Sequence, residues 1–353
     1  ANPDFRSFVW NFKASTTEDQ KIVKAMQGKK MPQIGEIDIQ VMEEGQSRWL
    51  SFIKDEVDLF ALDGELTVQA LQDGKLKPEL IKKGVQLSRI TDPSIDYHYW
   101  NMQNPVVGGL SKDKIALRRA MAMAFSADNY INILQKGDAQ KLQAPIPSGV
   151  VGYDPNYRSS IPYSVKAANL LLDRYHYNVA ADGWRTQPNG KPLVIEMTLS
   201  GNNLRSQQQA EFWKKTLDSI KIKMTTKSMP FAEALKLEKQ CKTMFKASAW
   251  IADYPDADNF MQLFYGKNIK ITNNGCAKIP EYDRLYEQAQ KMIPSPERDV
   301  IYAKMSRLLE VYMPVQVIGA RYRNILAQPR VIGFKKHPIL PAEWMYIDID
   351  LKK

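Results

Sequence analysis

The feature that most constrains this chain is the alternation of two apolar periodicities along most of its 353 residues. In residues 34–42, Ile37, Ile39 and Val41 recur at every second position, which predicts a strand with one buried face. In residues 112–125, apolar side chains recur at i, i+3, i+4, i+7 and i+8, which predicts an amphipathic helix. Strands that are separated by helices predict an α/β fold.

The same patterns predict further elements along the chain. Strands are expected over 57–61, 85–90, 94–102, 193–199, 221–225, 243–250 and 314–326, and helices over 47–54, 67–71, 165–174, 207–220, 231–239, 256–264, 281–292 and 297–312. Residues 2–5 predict a turn. At about 150 residues per domain, the length predicts two domains or slightly more.

The charge of the chain is basic but dispersed. The 49 Lys and Arg residues exceed the 39 Asp and Glu residues by 10, and the basic doublets are scattered along the sequence. This distribution favours a solvated basic surface over a nucleic-acid partner. No stretch approaches the roughly 18 uncharged apolar residues of a membrane-spanning helix.

Signatures of catalysis are missing from the sequence. It has no Gly-x-Ser-x-Gly, phosphate loop, His-Glu-x-x-His or dinucleotide fingerprint. The two cysteines have no histidine nearby, and the three histidines are far apart, so neither a thiol nucleophile nor a metal site is indicated. We expect no enzyme, no cofactor and no metal, with dispersed catalytic residues as the alternative.

The densest polar and aromatic cluster lies at residues 250–260, between a predicted strand and a predicted helix. Strand ends that lead into helices are where α/β sheets place ligand sites. Its three aspartates could bind a cation or an ammonium group, but Asp256 and Asp258 could equally cap the helix start. Asp253 precedes the proline turn, where capping helps less, and is therefore the better ligand candidate.

Several motifs in a fixed order resemble those of a known family. They are 2–5 (NPDF), 34–59 (which ends in KDEVDL), 97–101 (YHYWN), 116–121 (ALRRAM), 144–149 (APIPSG), 250–260 (WIADYPDADNF), 280–285 (PEYDRL), 312–319 (YMPVQVIG) and 331–334 (VIGF). Together they resemble the extracellular solute-binding proteins of family 5, the oligopeptide- and dipeptide-binding components of ABC importers. Asp55 stands where the family often has glycine.

The resemblance implies a two-lobe α/β fold of the periplasmic-binding-protein type, type II. It assigns residues 1–98 and 315–353 to lobe one and residues 99–314 to lobe two, with the crossing strands near Tyr99 and Val315 as the hinge. Because the family is longer, we expect this chain to be a fragment that lacks the extra domain and the start of lobe one. Its signal peptide and upstream part are then expected to be absent from this chain.

The resemblance also implies the ligand residues. An aspartate at the place of Asp253 pairs with the α-ammonium group of a bound peptide in this family. Trp250 and Tyr254 are expected to line the pocket, with a core position as the alternative for Trp250. On the crossing strand, Tyr99 and Asn101 are further candidates, and Asn101 has the alternative role of fixing that strand.

The implied function is capture of peptides or similar small solutes in the periplasm and their delivery to an ABC permease. We expect a monomer that takes a peptide or small-molecule ligand. If the chain is exported, Cys241 and Cys276 can form a disulfide; two unpaired buried thiols are the alternative. The alternatives for function are a sensor or adaptor for a partner protein and a binder of a non-peptide solute.

Overall fold

The structure, a computed structural model, describes residues 6–42, 44–62 and 64–352. The turn predicted at 2–5 lies outside the described residues. The chain forms two compact units, a first unit of Ala1–Asp92 with Tyr322–Lys353 and a second unit of Pro93–Arg321. Residues 94–100 and 315–321 pair with strands of the second unit.

Helices occur through most of the described chain. They are α1 (Thr17–Met26), α2 (Gly45–Ile53), α3 (Gly64–Ala70), α4 (Pro78–Lys82), α5 (Lys112–Ala124), α6 (Ala127–Leu134), α7 (Val165–Arg174), α8 (Leu204–Asp218), α9 (Phe231–Lys239), α10 (Asp258–Met261), α11 (Pro280–Ala289) and α12 (Pro296–Tyr312). Short 3-10 turns follow at Gln262–Phe264, Gly266–Asn268 and Glu343–Tyr346. No helix of the described residues is both long and apolar enough to cross a membrane.

The strands are of very different lengths. They are β1 (Phe8–Val9), β2 (Lys30–Met31), β3 (Leu59–Leu62), β4 (Leu71–Gln72), β5 (Lys75–Leu76), β6 (Gln86–Thr91), β7 (Ser94–Trp100), β8 (Ala139–Lys141), β9 (Val194–Ser200), β10 (Lys223–Met229), β11 (Phe245–Ile251), β12 (Val315–Ala327), β13 (Val331–Ile332) and β14 (Asp348–Ile349). The α/β fold predicted from the sequence is confirmed by these elements.

The second unit is built on a mixed sheet in the order β10-β9-β11-β7-β12, with β8 also paired to β12. The β9–β10 and β9–β11 pairs are parallel, whereas β7 runs antiparallel to both β11 and β12. One face packs against the helices through side chains that include Trp100, Phe245 and Trp213, all fully buried. The sheet therefore fixes β7, which carries Tyr99, and β11, which carries Trp250.

The first unit contains a smaller antiparallel sheet. Residues 322–327 of β12 pair with β6, and residues 324–327 also pair with β3. Phe52 of α2 and Leu66 of α3 pack with Phe60 and Leu326 in its core. This unit therefore has an apolar core of its own.

The strand predicted over 34–42 is wrong. These residues form neither a helix nor a strand, and Ile37, Ile39 and Val41 are 47%, 73% and 90% exposed. The alternation of apolar and polar residues indicates which side chains would share a face. A strand also needs a partner strand with which to exchange backbone hydrogen bonds. Among the described residues, no strand pairs with this segment.

Candidate ligand-binding site

The segment predicted to carry the ligand residues forms a loop between β11 and α10. Backbone bonds hold it in place, since Ala252 N–H donates to the Pro93 carbonyl at 2.8 Å and Ala257 N–H donates to the Val151 carbonyl at 2.9 Å. Val151 N–H in turn donates to the carbonyl of Pro255 at 3.0 Å. The side chains of this loop are therefore presented from a fixed backbone.

Asp253 is an exposed residue of this loop. Its Oδ2 atom accepts a hydrogen bond from Asn259 Nδ2 at 3.2 Å, and its backbone N–H donates to Asn259 Oδ1 at 3.1 Å. The second carboxylate oxygen, Oδ1, has no hydrogen-bond partner among the described residues. Because an ionised carboxylate accepts several hydrogen bonds, Asp253 can still receive a charged donor from a ligand.

The other two aspartates of the loop are engaged within the fold. Asp256 Oδ2 accepts from Arg298 at 2.6 Å, and its Oδ1 accepts from the backbone N–H of Asp258 at 3.0 Å. Asp258 Oδ2 accepts from the Tyr254 hydroxyl at 2.7 Å. Asp256 thus binds the first N–H of α10 from the position before the N-cap, which is Ala257, and α10 has no side-chain cap hydrogen bond at its N-cap.

Trp250 and Tyr254 flank Asp253 with aromatic surface. Trp250 is half-buried, and its Nε1–H donates to Asn259 Oδ1 at 2.9 Å. Tyr254 is 42% exposed. Partial burial, together with its bond to Asp258, raises the pKa of Tyr254 to about 12. Its hydroxyl therefore stays protonated and donates its hydrogen to Asp258 at neutral pH.

Asn101 follows the opposite end of the β7–β11 pair and is 2% exposed. Its Nδ2 donates to the carbonyls of Cys241 at 2.6 Å and Thr243 at 2.8 Å. Its Oδ1 accepts from the backbone N–H of Gln103 at 2.9 Å. Both amide hydrogens and the amide oxygen are therefore bonded to the backbone, which fits the alternative that Asn101 fixes the crossing strand.

Tyr99 is 1% exposed, and its hydroxyl lies 3.2 Å from Thr243 Oγ1. Burial, reinforced by the negative charge of Glu238, raises the pKa of Tyr99 well above its usual range. The hydroxyl is therefore a neutral group within the interior of the second unit.

The predicted disulfide is present between Cys241 and Cys276. It joins the end of α9 to the segment before α11, and Met102 N–H donates to the carbonyl of Gly275 next to it. The bond therefore closes a chain segment that contains β11, the loop and α10.

The predicted site residues lie at two ends of one strand pair. In the antiparallel register, Phe245 is opposite Trp100 at one end and Ile251 is opposite Ser94 at the other. Six residue steps at about 3.4 Å place these ends roughly 20 Å apart. We call the end with Tyr99, Asn101, Thr243 and the disulfide the closed end, and the end with Trp250, Asp253, Tyr254 and Asn259 the open end.

Three contacts of this region are not apparent from the sequence patterns. Asn259 belongs to the predicted cluster, but nothing in the cluster shows that its amide faces Asp253. Arg298 reaches Asp256 from 42 residues away. Lys246 of β11 forms an ion pair with Glu238 at 2.6 Å, with side chains only 8% and 3% exposed. For Lys246, the sequence did contain a signal of a buried partner, because a charged residue inside an apolar strand needs an opposite charge nearby.

Metal ligands are not assembled in the part of the chain that the structure describes: no group of three or more His, Cys, Asp or Glu residues there could hold a metal ion. The open end instead presents one carboxylate oxygen, Asp253 Oδ1, that accepts no hydrogen bond from the described residues and lies beside aromatic side chains. Chemically, such an arrangement can receive a cationic hydrogen-bond donor.

Comparison with known proteins gives relatives that are named as peptide-binding proteins. Di/tripeptide-binding protein 2 of Pseudomonas aeruginosa is 23% identical over 250 residues, which are 67% of this chain and 43% of that protein. Oligopeptide-binding protein OppA of Bacillus subtilis is 21% identical over 325 residues, which are 90% of this chain and 55% of that protein. The chain thus spans about half the length of these curated relatives.

A solved structure shows the same fold. The periplasmic binding protein DppA of Helicobacter pylori, determined with the peptide STSA, matches with a TM-score of 0.71 and 20% identity over 88% of this chain and 56% of that chain. The predicted periplasmic-binding-protein type of fold is therefore confirmed. A family model described as bacterial extracellular solute-binding proteins, family 5 Middle, matches residues 1–271. The chain belongs to family 5 of the bacterial extracellular solute-binding proteins.

Proposed function

We propose that this chain is the solute-binding component of an ABC importer and captures peptides in the periplasm for delivery to a membrane permease. The observation that carries the proposal is the exposed Asp253 carboxylate, which keeps one oxygen available on a loop held by backbone bonds. The names of the relatives, di/tripeptide- and oligopeptide-binding proteins, support peptides as the ligand class.

Asp253 would recognise the α-ammonium group of the peptide. A carboxylate and an ammonium group form a charge-assisted hydrogen bond, which is stronger than a neutral one and strengthens further when a ligand excludes water. The exposed surfaces of Tyr254 and Trp250 would contact the first residues of the peptide. Recognition of the N-terminus, rather than of a particular side chain, gives binding that tolerates varied sequences.

The proposal includes an assignment of lobes. Residues 99–314 are assigned to one lobe, and residues 1–98 with 315–353 to the other. The protein would bind its ligand without converting it, as expected of a member of a binding-protein family.

Mass spectrometry of small molecules that are released when the purified chain is denatured tests the ligand class. We expect a set of short peptides with varied sequences. A single non-peptide species would contradict the peptide ligand.

Calorimetry with one tripeptide in two forms tests the recognised group. The form with a free N-terminus should bind about 10- to 100-fold more tightly than the N-acetylated form, because a hydrogen bond to a charged group contributes about 1.5–3 kcal/mol. Equal affinities would contradict recognition of the ammonium group.

A further inference from the structure

Asn259, the second residue of α10, is fully buried. Its Oδ1 accepts two hydrogen bonds, one from Trp250 Nε1 at 2.9 Å and one from the Asp253 backbone N–H at 3.1 Å. Its Nδ2 donates to Asp253 Oδ2 at 3.2 Å. One side chain therefore contacts the end of β11, the loop backbone and the candidate ligand carboxylate.

The two bonds to Oδ1 fix which way the amide of Asn259 points. Both partners are N–H groups and can only donate, so the oxygen must face them and the amino group must face Asp253. An aspartate at this position would offer no such donor when ionised, and an apolar residue would satisfy none of the three groups. The arrangement requires a short side chain that accepts and donates at once.

We infer that Asn259 is a positioning residue, which holds the Asp253 carboxylate by Oδ2 and leaves Oδ1 directed to the ligand. The inference rests on the proposed function, because it assigns how the same site keeps its preference for a charged amine. A side chain that is ordered before binding loses less conformational freedom when the ligand arrives. Asn259 thereby raises the affinity for a free N-terminus without touching the ligand.

The first test compares Asn259→Ala with the matched control Asn273→Ala. Asn273 is also buried and donates to the carbonyls of Tyr265 and Ala277, while its Oδ1 accepts from Ala277 N–H. The measurement is the ratio of dissociation constants of the N-acetylated and free forms of one tripeptide. Asn259→Ala should lower this ratio about tenfold, as expected for loss of one hydrogen bond to a charged group.

The control variant should destabilise the protein to a similar degree and leave the ratio unchanged. A ratio that is unchanged in Asn259→Ala, or that falls equally in Asn273→Ala, would overturn the inference, because a purely structural role would then be sufficient.

The second test needs no ligand. Unfolding equilibrium constants are measured in urea for the unchanged protein, Asp253→Ala, Asn259→Ala and the double variant. The fold-increase in the unfolding equilibrium constant that Asn259→Ala causes should be about tenfold smaller in the Asp253→Ala background than in the unchanged protein. The reason is that the effects of substitutions at two contacting residues are not additive. Equal effects in both backgrounds would contradict the contact.

If the alanine variant does not fold, Asn259→Asp serves in the same cycle. It keeps the size and the acceptor oxygen, and its second oxygen faces the Asp253 carboxylate, so it should destabilise more when Asp253 is present. If no peptide binds, the proposed function fails, whereas the cycle still decides whether Asn259 holds Asp253.

Discussion

The closed and open ends of the β7–β11 pair differ in how much hydrogen-bonding capacity the fold leaves unused. At the closed end, Asn101 donates both amide hydrogens to backbone carbonyls, and its amide oxygen accepts from a backbone N–H. At the open end, Asp253 uses one carboxylate oxygen on Asn259 and keeps the other. Both residues are polar side chains that follow a strand, so unused hydrogen-bonding capacity, rather than residue type, separates the proposed ligand group from the structural one.

This comparison predicts that substitutions at the closed end change stability and that substitutions at the open end change binding. The largest effect is expected for Lys246→Met, which leaves the buried Glu238 carboxylate without its cation. Removing one partner of a buried ion pair costs about 3–5 kcal/mol of the free energy of unfolding, which urea unfolding measures. A double variant with Glu238→Met serves as the control and should recover most of the loss; a single variant of unchanged stability would contradict the buried pair.

Reduction of the Cys241–Cys276 disulfide should lower the free energy of unfolding by about 3–4 kcal/mol in the chain-entropy model, given a sequence separation of 35 residues. The double variant Cys241→Ser with Cys276→Ser is the control, and reductant should not change its stability. Stability that does not respond to reductant in the unchanged protein would show that the bond contributes nothing at the closed end.

Asn101→Ala should lower the free energy of unfolding by about 2–3 kcal/mol, because it leaves buried backbone groups without partners. The control is Asn189→Ala, where an exposed asparagine accepts from Lys191 N–H and little change is expected. The ratio of affinities for acetylated and free peptides should stay the same in Asn101→Ala. A large fall in that ratio would break the comparison, because the closed end would then also recognise the N-terminus.

The smallest effect is expected when the pH is lowered, and its source is His98, which lies in β7 between the two ends. Burial lowers the pKa of His98 from 6.5 to about 3. Because the unfolded chain then binds a proton that the folded chain does not, stability falls as pH decreases from about 6.5 towards about 3, by up to about 1.4 kcal/mol per pH unit. Urea unfolding at pH 7 and 5.5 should show this loss.

His98→Phe is the comparison for the acid effect. Its stability should fall less between pH 7 and 5.5 than that of the unchanged protein. An identical loss in both proteins would exclude His98 as the source.

The strands and helices of the second unit could largely be predicted from the sequence. The alternation over 193–199 predicts β9, which the structure has at Val194–Ser200, and the helical spacing over 112–125 predicts α5. The same alternation failed at 34–42, because periodicity reports which face is apolar and not whether a partner strand is available. Local pattern therefore predicts elements more reliably than their pairing.

The candidate site could be predicted only in part. The position of Asp253 between a strand and the proline turn favoured it as a ligand candidate, and the resemblance to family 5 added its role as partner of the ammonium group. The sequence left both a ligand role and a strand-fixing role open for Asn101, because the carbonyls that bind it lie 140 and 142 residues away in the sequence. The role of Asn259 likewise depends on the direction of one amide group, which no spacing of residues encodes.

The most direct test of the account is calorimetry of Asp253→Asn with the free and N-acetylated forms of one tripeptide. Asp128→Asn is the matched control, since Asp128 is an exposed carboxylate paired with Lys141. The account predicts that Asp253→Asn abolishes the roughly 10- to 100-fold preference for the free N-terminus and that Asp128→Asn preserves it. A preference that survives in Asp253→Asn would contradict recognition of the ammonium group at the open end.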